Sequence, residues 1–246
     1  MKINKRLTPY NHNTGTVDRI AGIVIHYVGA VGGAKENCDY FAEGDRKASA
    51  HYFVDFDGSI WQSVEDKDIA FHCGADKYKH PYLRNANTIG IEMCVRNNGN
   101  KAAESRDWYF EDATVKGTID LTKYLMMKYT ITPEDVVRHY DITGKICPNP
   151  YMYNHTKHVW NAFKALITER WAESLIDDSI KNSVGSPIES PIKIPIGHPI
   201  ESSEMKIPLR TNEHMNMENI QTEIVVTDAN REELERLYGK IPLEME

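Results

Sequence analysis

Gly22-Ile-Val-Ile-His-Tyr-Val-Gly29 is a continuous β-branched and aromatic run closed at both ends by glycine. A run of this length and composition reads as a strand buried on both faces inside a sheet. His26 stands in its middle, and a polar ring there costs free energy unless something pairs with it. Outward from it, Ser49–Phe56 and Ser59–Val64 flank Asp57-Gly58, two residues that tolerate positive φ and therefore signal a hairpin. Thr88–Val95 reads as a further strand and Val136–Tyr140 as a short last one. Between them, Ala34–Phe41, Phe110–Tyr129 and Asn154–Trp171 carry helical signals, the last with Val159, Phe163, Leu166 and Ile167 as an apolar stripe. Strands interleaved with helices, one hairpin among them, predict an α/β fold: a mixed central β-sheet flanked by helices.

That pattern fills residues 1–174 and then stops. Residues 175–204 place a Pro-Ile pair every four positions, at Pro187, Pro191, Pro195 and Pro199, a density that favours an extended linker. In residues 205–246, Glu223–Thr227 reads as a strand, and Asn230-Arg-Glu-Glu233 as a capping box opening a helix that ends at Gly239. Such a βα appendage is too small to bury a core alone, so docking or homo-oligomerisation is expected of it. Charge divides the same way. The 246 residues carry a net −7, yet Trp171–Glu246 holds 15 acidic against 7 basic residues and the rest nearly balances. No basic face dominates, which argues against nucleic acid as a partner. The N-terminus lacks an apolar run after its basic residues, so no secretory signal is expected, and no segment is long and apolar enough to insert in a membrane. Cys38, Cys73 and Cys94 lie far apart without a CxxC pair and read as buried thiols.

The chemistry gathers elsewhere. His139-Tyr-Asp-Ile-Thr-Gly-Lys-Ile-Cys-Pro148 sets a histidine at a strand end and a cysteine beyond a glycine-containing loop. Imidazole and thiolate together suit Zn²⁺, although a lone pair of this kind also occurs as a structural histidine beside a buried thiol. His26 is the second half: it is either a satisfied core histidine or a third ligand. Three protein ligands that leave a fourth position for water make the catalytic zinc pattern, which suits amide hydrolysis. Glu92, amid the apolar Thr88–Val95 run, has the position of a general base, or else of a hydrogen-bonded strand residue. Lys145 would lie beside the metal to stabilise an oxyanion, or else be a solvated loop lysine.

These stretches, with Ile23-Val-Ile-His-Tyr27, Ser49-Ala-His-Tyr-Phe-Val-Asp-Phe-Asp-Gly58, Ile69-Ala-Phe-His-Cys-Gly74 and Asn87-Thr-Ile-Gly-Ile-Glu92, resemble the N-acetylmuramoyl-L-alanine amidase family in order and spacing. The family includes phage lysozyme-type amidases, muropeptide-recycling amidases and peptidoglycan-recognition proteins. The resemblance covers about residues 20–168 and implies a zinc amidase domain acting on peptidoglycan. It implies His26, His139 and Cys147 as zinc ligands, Lys145 as the oxyanion-stabilising lysine and His72 in the substrate groove; His51 would support the site from the sheet. Some members place a catalytic tyrosine where this chain has Ala50; others use the glutamate that Glu92 matches. Cys147 replaces the aspartate usual in cytoplasmic recycling members.

The expectation is therefore an endolysin of phage or prophage type. It would be made in the cytoplasm and reach the wall through a companion holin-type pore or from outside, with residues 205–246 targeting the wall or oligomerising. A non-catalytic peptidoglycan-binding protein and a recycling amidase are the alternatives. The first would bind without turnover, and the second would cleave soluble fragments but not intact sacculi.

Overall fold

The computed structural model describes residues 1–169. The Pro-Ile linker and the acidic C-terminal segment therefore lie outside the described residues. The strands are β1 (Ile3–Lys5), β2 (His12–Asn13), β3 (Gly22–Tyr27), β4 (Tyr52–Val54), β5 (Ile60–Gln62), β6 (Ile69–Ala70), β7 (Thr88–Met93), β8 (Arg96–Asn97), β9 (Trp108–Tyr109) and β10 (Val136–Arg138). The helices are α1 (Ala34–Ala42), α2 (Asp112–Tyr129), α3 (His139–Thr143), α4 (Asn149–Tyr153) and α5 (Trp160–Thr168). Six strands form one sheet in the order β1-β5-β4-β7-β3-β10. The run β4-β7-β3-β10 is parallel, whereas β5 pairs antiparallel with β4 and parallel with β1. The predicted mixed sheet flanked by helices is the observed fold.

All six residues of β3 are buried, as the apolar run requires, and the strand lies one in from the β10 edge. Its faces do different work. Ile23, Ile25 and Tyr27 join Ile89, Ile91 and Met93 of β7 in the main core, which packs against Val115, Leu125 and Met126 of α2 and Phe163 and Ile167 of α5. On the opposite face lie Val24 and His26, with Thr88, Gly90 and Glu92 beside them, because side chains alternate along a strand. Ile-Gly-Ile-Glu is thus one alternation read on two faces: isoleucines toward the helices, a glycine and a carboxylate toward the site.

The Asp57-Gly58 hairpin forms, but not as a two-residue turn with both residues at positive φ. Gly58 alone takes the left-handed region (φ 82°), its N–H donates to Asp55 O (3.0 Å), and Asp55 N–H donates to Ser59 O (2.8 Å). The loop is one residue longer, Phe56–Gly58, and α2 sits on it: a Cβ on Gly58 would lie 2.7 Å from Ala113 O. The expected helix from Asn154 begins only at Trp160. Asn154 ends α4 in the left-handed conformation (φ 48°), and the intervening chain is held outside by His155 Nε2 against Trp108 O and His158 Nε2 against Asp112. The strand β1 had no counterpart in the sequence reading.

Candidate functional site

β3, β7 and β10 lie side by side and parallel, and their C-terminal ends carry the site, where open α/β sheets place their crevices. His26 is the fifth residue of β3, and Glu92, the fifth of β7, is its Cα partner in register. His139 opens α3 directly after β10. The chain then turns at Gly144 (φ 85°), and Tyr140 N–H donates to Cys147 O (2.9 Å), which brings Cys147 back beside His139. A histidine and a cysteine eight residues apart thus come to face one point.

His26 Nδ1 lies 3.1 Å from His139 Nδ1 and 3.7 Å from Cys147 Sγ. All three donor atoms fall within 4.8 Å of one another, and all three residues are buried. Around a tetrahedral ion with metal–nitrogen bonds of about 2.05 Å and a metal–sulfur bond of about 2.3 Å, neighbouring donors lie about 3.3 Å (N, N) and about 3.6 Å (N, S) apart. The two contacts of His26 match those edges. Imidazole nitrogens and a thiolate are donors for a borderline-soft divalent ion.

The electrostatics agree with a site built for a cation. Burial pulls the rings of His26 and His72 well below the usual imidazole range, each helped by neighbouring histidines, and takes His139 down to about 4, with Lys145 adding to the effect. Neutral rings keep a lone pair for a ligand. Burial pushes the Cys147 thiol up, as does Glu92, while the Tyr27 backbone N–H and Lys145 oppose the rise. A cation would reverse that balance, since a coordinating thiol is deprotonated outright. Glu92 is half-buried, its Oε2 has no hydrogen-bond partner among the described residues, and burial carries the carboxyl up to about 8 against the pull of Lys145.

A cleft of about 790 Å³ opens beside this cluster and reaches it at His139; His72, Thr143 and Lys145 line it as well. The structure brings every predicted site residue together here. His72 lines the cleft and also touches His26, with its Nδ1 3.0 Å from His26 Nε2. His51 lies outside the donor cluster but on its side of the sheet: its ring meets that of His72 edge-on (centroids 5.8 Å apart), its Nδ1 accepts from Gly90 N–H (3.0 Å) and its Nε2 meets Asp68 O (3.0 Å). Ala50 is buried and apolar, so no hydroxyl enters from that position. Two participants escaped the sequence reading. Thr88 contacts the far side of His72 (Oγ1 to Nε2, 3.2 Å), and Asn85 Oδ1 accepts from the backbone N–H groups of His72 (3.1 Å) and Cys73 (2.7 Å). Thr88 stands two and four residues before Gly90 and Glu92, so the period of two that put them on one face also pointed to it.

Fold and site define a class: an α/β domain whose parallel strands end at a buried cluster of two histidines and a cysteine, with an open cleft that reaches the cluster at His139. The family model described as N-acetylmuramoyl-L-alanine amidase matches residues 16–150, a span that contains all six predicted site residues. The chain belongs to the N-acetylmuramoyl-L-alanine amidase family. It is 34% identical over 168 residues to the N-acetylmuramoyl-L-alanine amidase BlyA of Bacillus subtilis (strain 168), covering 61% of this chain and 43% of BlyA. The chain thus spans less than half the length of that relative. Among solved structures it is similar to PlyL (22% identity, TM-score 0.56, 68% of this chain and 98% of that one). It is also similar to a mutant endolysin from Bacillus subtilis (25% identity, TM-score 0.53, 68% and 99%).

Proposed function

We propose that the chain is a zinc-dependent N-acetylmuramoyl-L-alanine amidase that hydrolyses the amide between muramic acid and L-alanine of peptidoglycan. One observation carries the reading: His26 Nδ1, His139 Nδ1 and Cys147 Sγ converge in a buried cluster that meets an open cleft at His139, with the half-buried Glu92 beside His26. His26, His139 and Cys147 would hold the zinc, which when bound would supply a Lewis acid to activate water and polarise the scissile carbonyl. Glu92 takes the proton from the attacking water and returns it to the departing nitrogen. A carboxyl whose affinity for protons lies near the working pH can do both. Lys145, at the cleft wall, stabilises the charge that grows on the carbonyl oxygen. The cleft volume is in the range of sites that enclose a medium-sized ligand, enough for the glycan–peptide junction.

We further read the chain as an endolysin of phage or prophage type that works on the cell wall. The likeness to an endolysin from Bacillus subtilis and the thiolate ligand support this. Among the described residues no helix is long and apolar enough to cross a membrane. The test is to strip the protein of metal and assay it on intact sacculi and on soluble muramyl peptides. Activity on sacculi that vanishes on stripping and returns with zinc is expected. Undiminished activity of the stripped protein would overturn the zinc assignment, and cleavage of soluble fragments alone would replace the endolysin with a recycling amidase.

A further inference from the structure

We propose that Thr88 and His72 are positioning residues that hold His26 in the one tautomer whose Nδ1 is free to bind a cation. This rests on the metal-site reading above. The argument starts from an atom with no choice: the Arg84 carbonyl oxygen only accepts. Thr88 Oγ1 lies 2.7 Å from it, so the hydroxyl hydrogen is directed there. The same oxygen faces His72 Nε2 at 3.2 Å. With its hydrogen committed, the hydroxyl accepts, and His72 Nε2 carries the hydrogen. A neutral imidazole has one N–H, so His72 Nδ1 is an acceptor. It lies 3.0 Å from His26 Nε2, which therefore donates. The single hydrogen of His26 is spent on this bond. Its Nδ1 lone pair is left facing His139 Nδ1 and Cys147 Sγ. The polarity of one backbone carbonyl is thus relayed through two side chains to a ligand atom.

The surroundings keep the relay in place. Thr88 is fully buried and His72 nearly so (0% and 9% exposed), so water competes little for these contacts. Asn85 pins the His72 backbone. Gly90 leaves the ring its space, since a Cβ there would lie 2.6 Å from His72 Cγ. Without the hydroxyl, His72 is free to carry its hydrogen on Nδ1. That arrangement faces the His26 Nε2 hydrogen and drives the proton of His26 onto the nitrogen the metal needs. Partners of this kind fix the ring orientation and tautomer of ligating histidines.

The experiment uses the full chain with Thr88→Val, which keeps the side-chain shape, and Thr88→Ser, which keeps the hydroxyl. Zinc affinity is measured by chelator competition, and ¹⁵N shifts of the His26 ring in the metal-free protein report its tautomer. Thr88→Val is expected to weaken zinc binding by about 10–100-fold and to populate the Nδ1–H form of His26. Thr88→Ser should stay within about twofold of wild type. Wild-type zinc affinity with an intact Nε2–H tautomer in Thr88→Val would overturn the proposal, and so would Thr88→Ser as weak as Thr88→Val, which would trace the loss to packing. Failure of the wild type to take up zinc would strike the metal-site reading instead. The relay would then stand or fall on the wild-type tautomer, and His26 protonated on Nδ1 would overturn it.

Discussion

Glu92 and His26 are register partners on adjacent parallel strands, so their side chains leave the sheet on one face, a strand spacing apart. In the proposed mechanism the carboxylate transfers protons and does not hold the metal, and the two roles separate in a variant. Glu92→Gln is expected to keep stoichiometric zinc and to lose about 10²–10⁴-fold in turnover, measured as rate against metal content; turnover near wild type would remove Glu92 from its role. Gly90 is equally constrained. Gly90→Ala drives a methyl into the His72 ring, and such overpacking costs about 1–3 kcal/mol. The unfolding free energy from denaturant titration is expected to fall by that much, and zinc affinity with it. At this scale the sequence was informative wherever a polar residue interrupted an apolar run, as His26 and Glu92 do. Thr88 opens β7 and interrupts no apolar run, so only the period of two placed it on the site face, and Asn85 gave no signal, since its role comes from the turn before the strand.

Among the elements, α2 shows how a local preference yields to packing. Alanine normally exceeds glycine by about 1 kcal/mol within a helix. At position 117 a Cβ would meet Gly58 O at 2.6 Å and Val54 Cγ1 at 3.0 Å. The first neighbour is backbone of the hairpin turn and cannot give way cheaply, so Gly117→Ala is expected to destabilise the fold; a higher melting midpoint would contradict this packing. His51 links elements differently, with a ring that burial takes down to about 4. It is neutral in the native state, while the unfolded chain takes up its proton near the ordinary value of about 6.5. Its stabilisation is therefore complete above pH 6.5 and lost as pH falls through 4, on the order of 3 kcal/mol in all. In metal-free protein, His51→Gln should show a shallower loss of stability over that window; an unchanged slope would sink the assignment. Strand identities were legible from β-branched runs, but boundaries shortened wherever a neighbour intervened. The strand β1 was hidden because three residues carry no periodicity and its partner, β5, lies more than fifty residues away.

For the molecule as a whole, the described core draws its side chains from Ile20 to Ile167, with Ile3 packed against it. Every residue that lines the cleft lies inside the span that matches the family. A chain ending at residue 174 is accordingly expected to fold with nearly the full melting midpoint and to bind zinc with the affinity of the full chain, whereas loss of cooperative unfolding would contradict it. The strongest inference from sequence was also made at this scale, because five modest motifs in a fixed order carry more information than any one of them. The central claim is that this cleft cuts the muramic acid–L-alanine amide of peptidoglycan. The direct measurement is end-group analysis of purified peptidoglycan digested by the protein. New alanine α-amino termini in step with solubilisation, without new reducing sugar ends, are the predicted result; new reducing ends without new amino termini would contradict it.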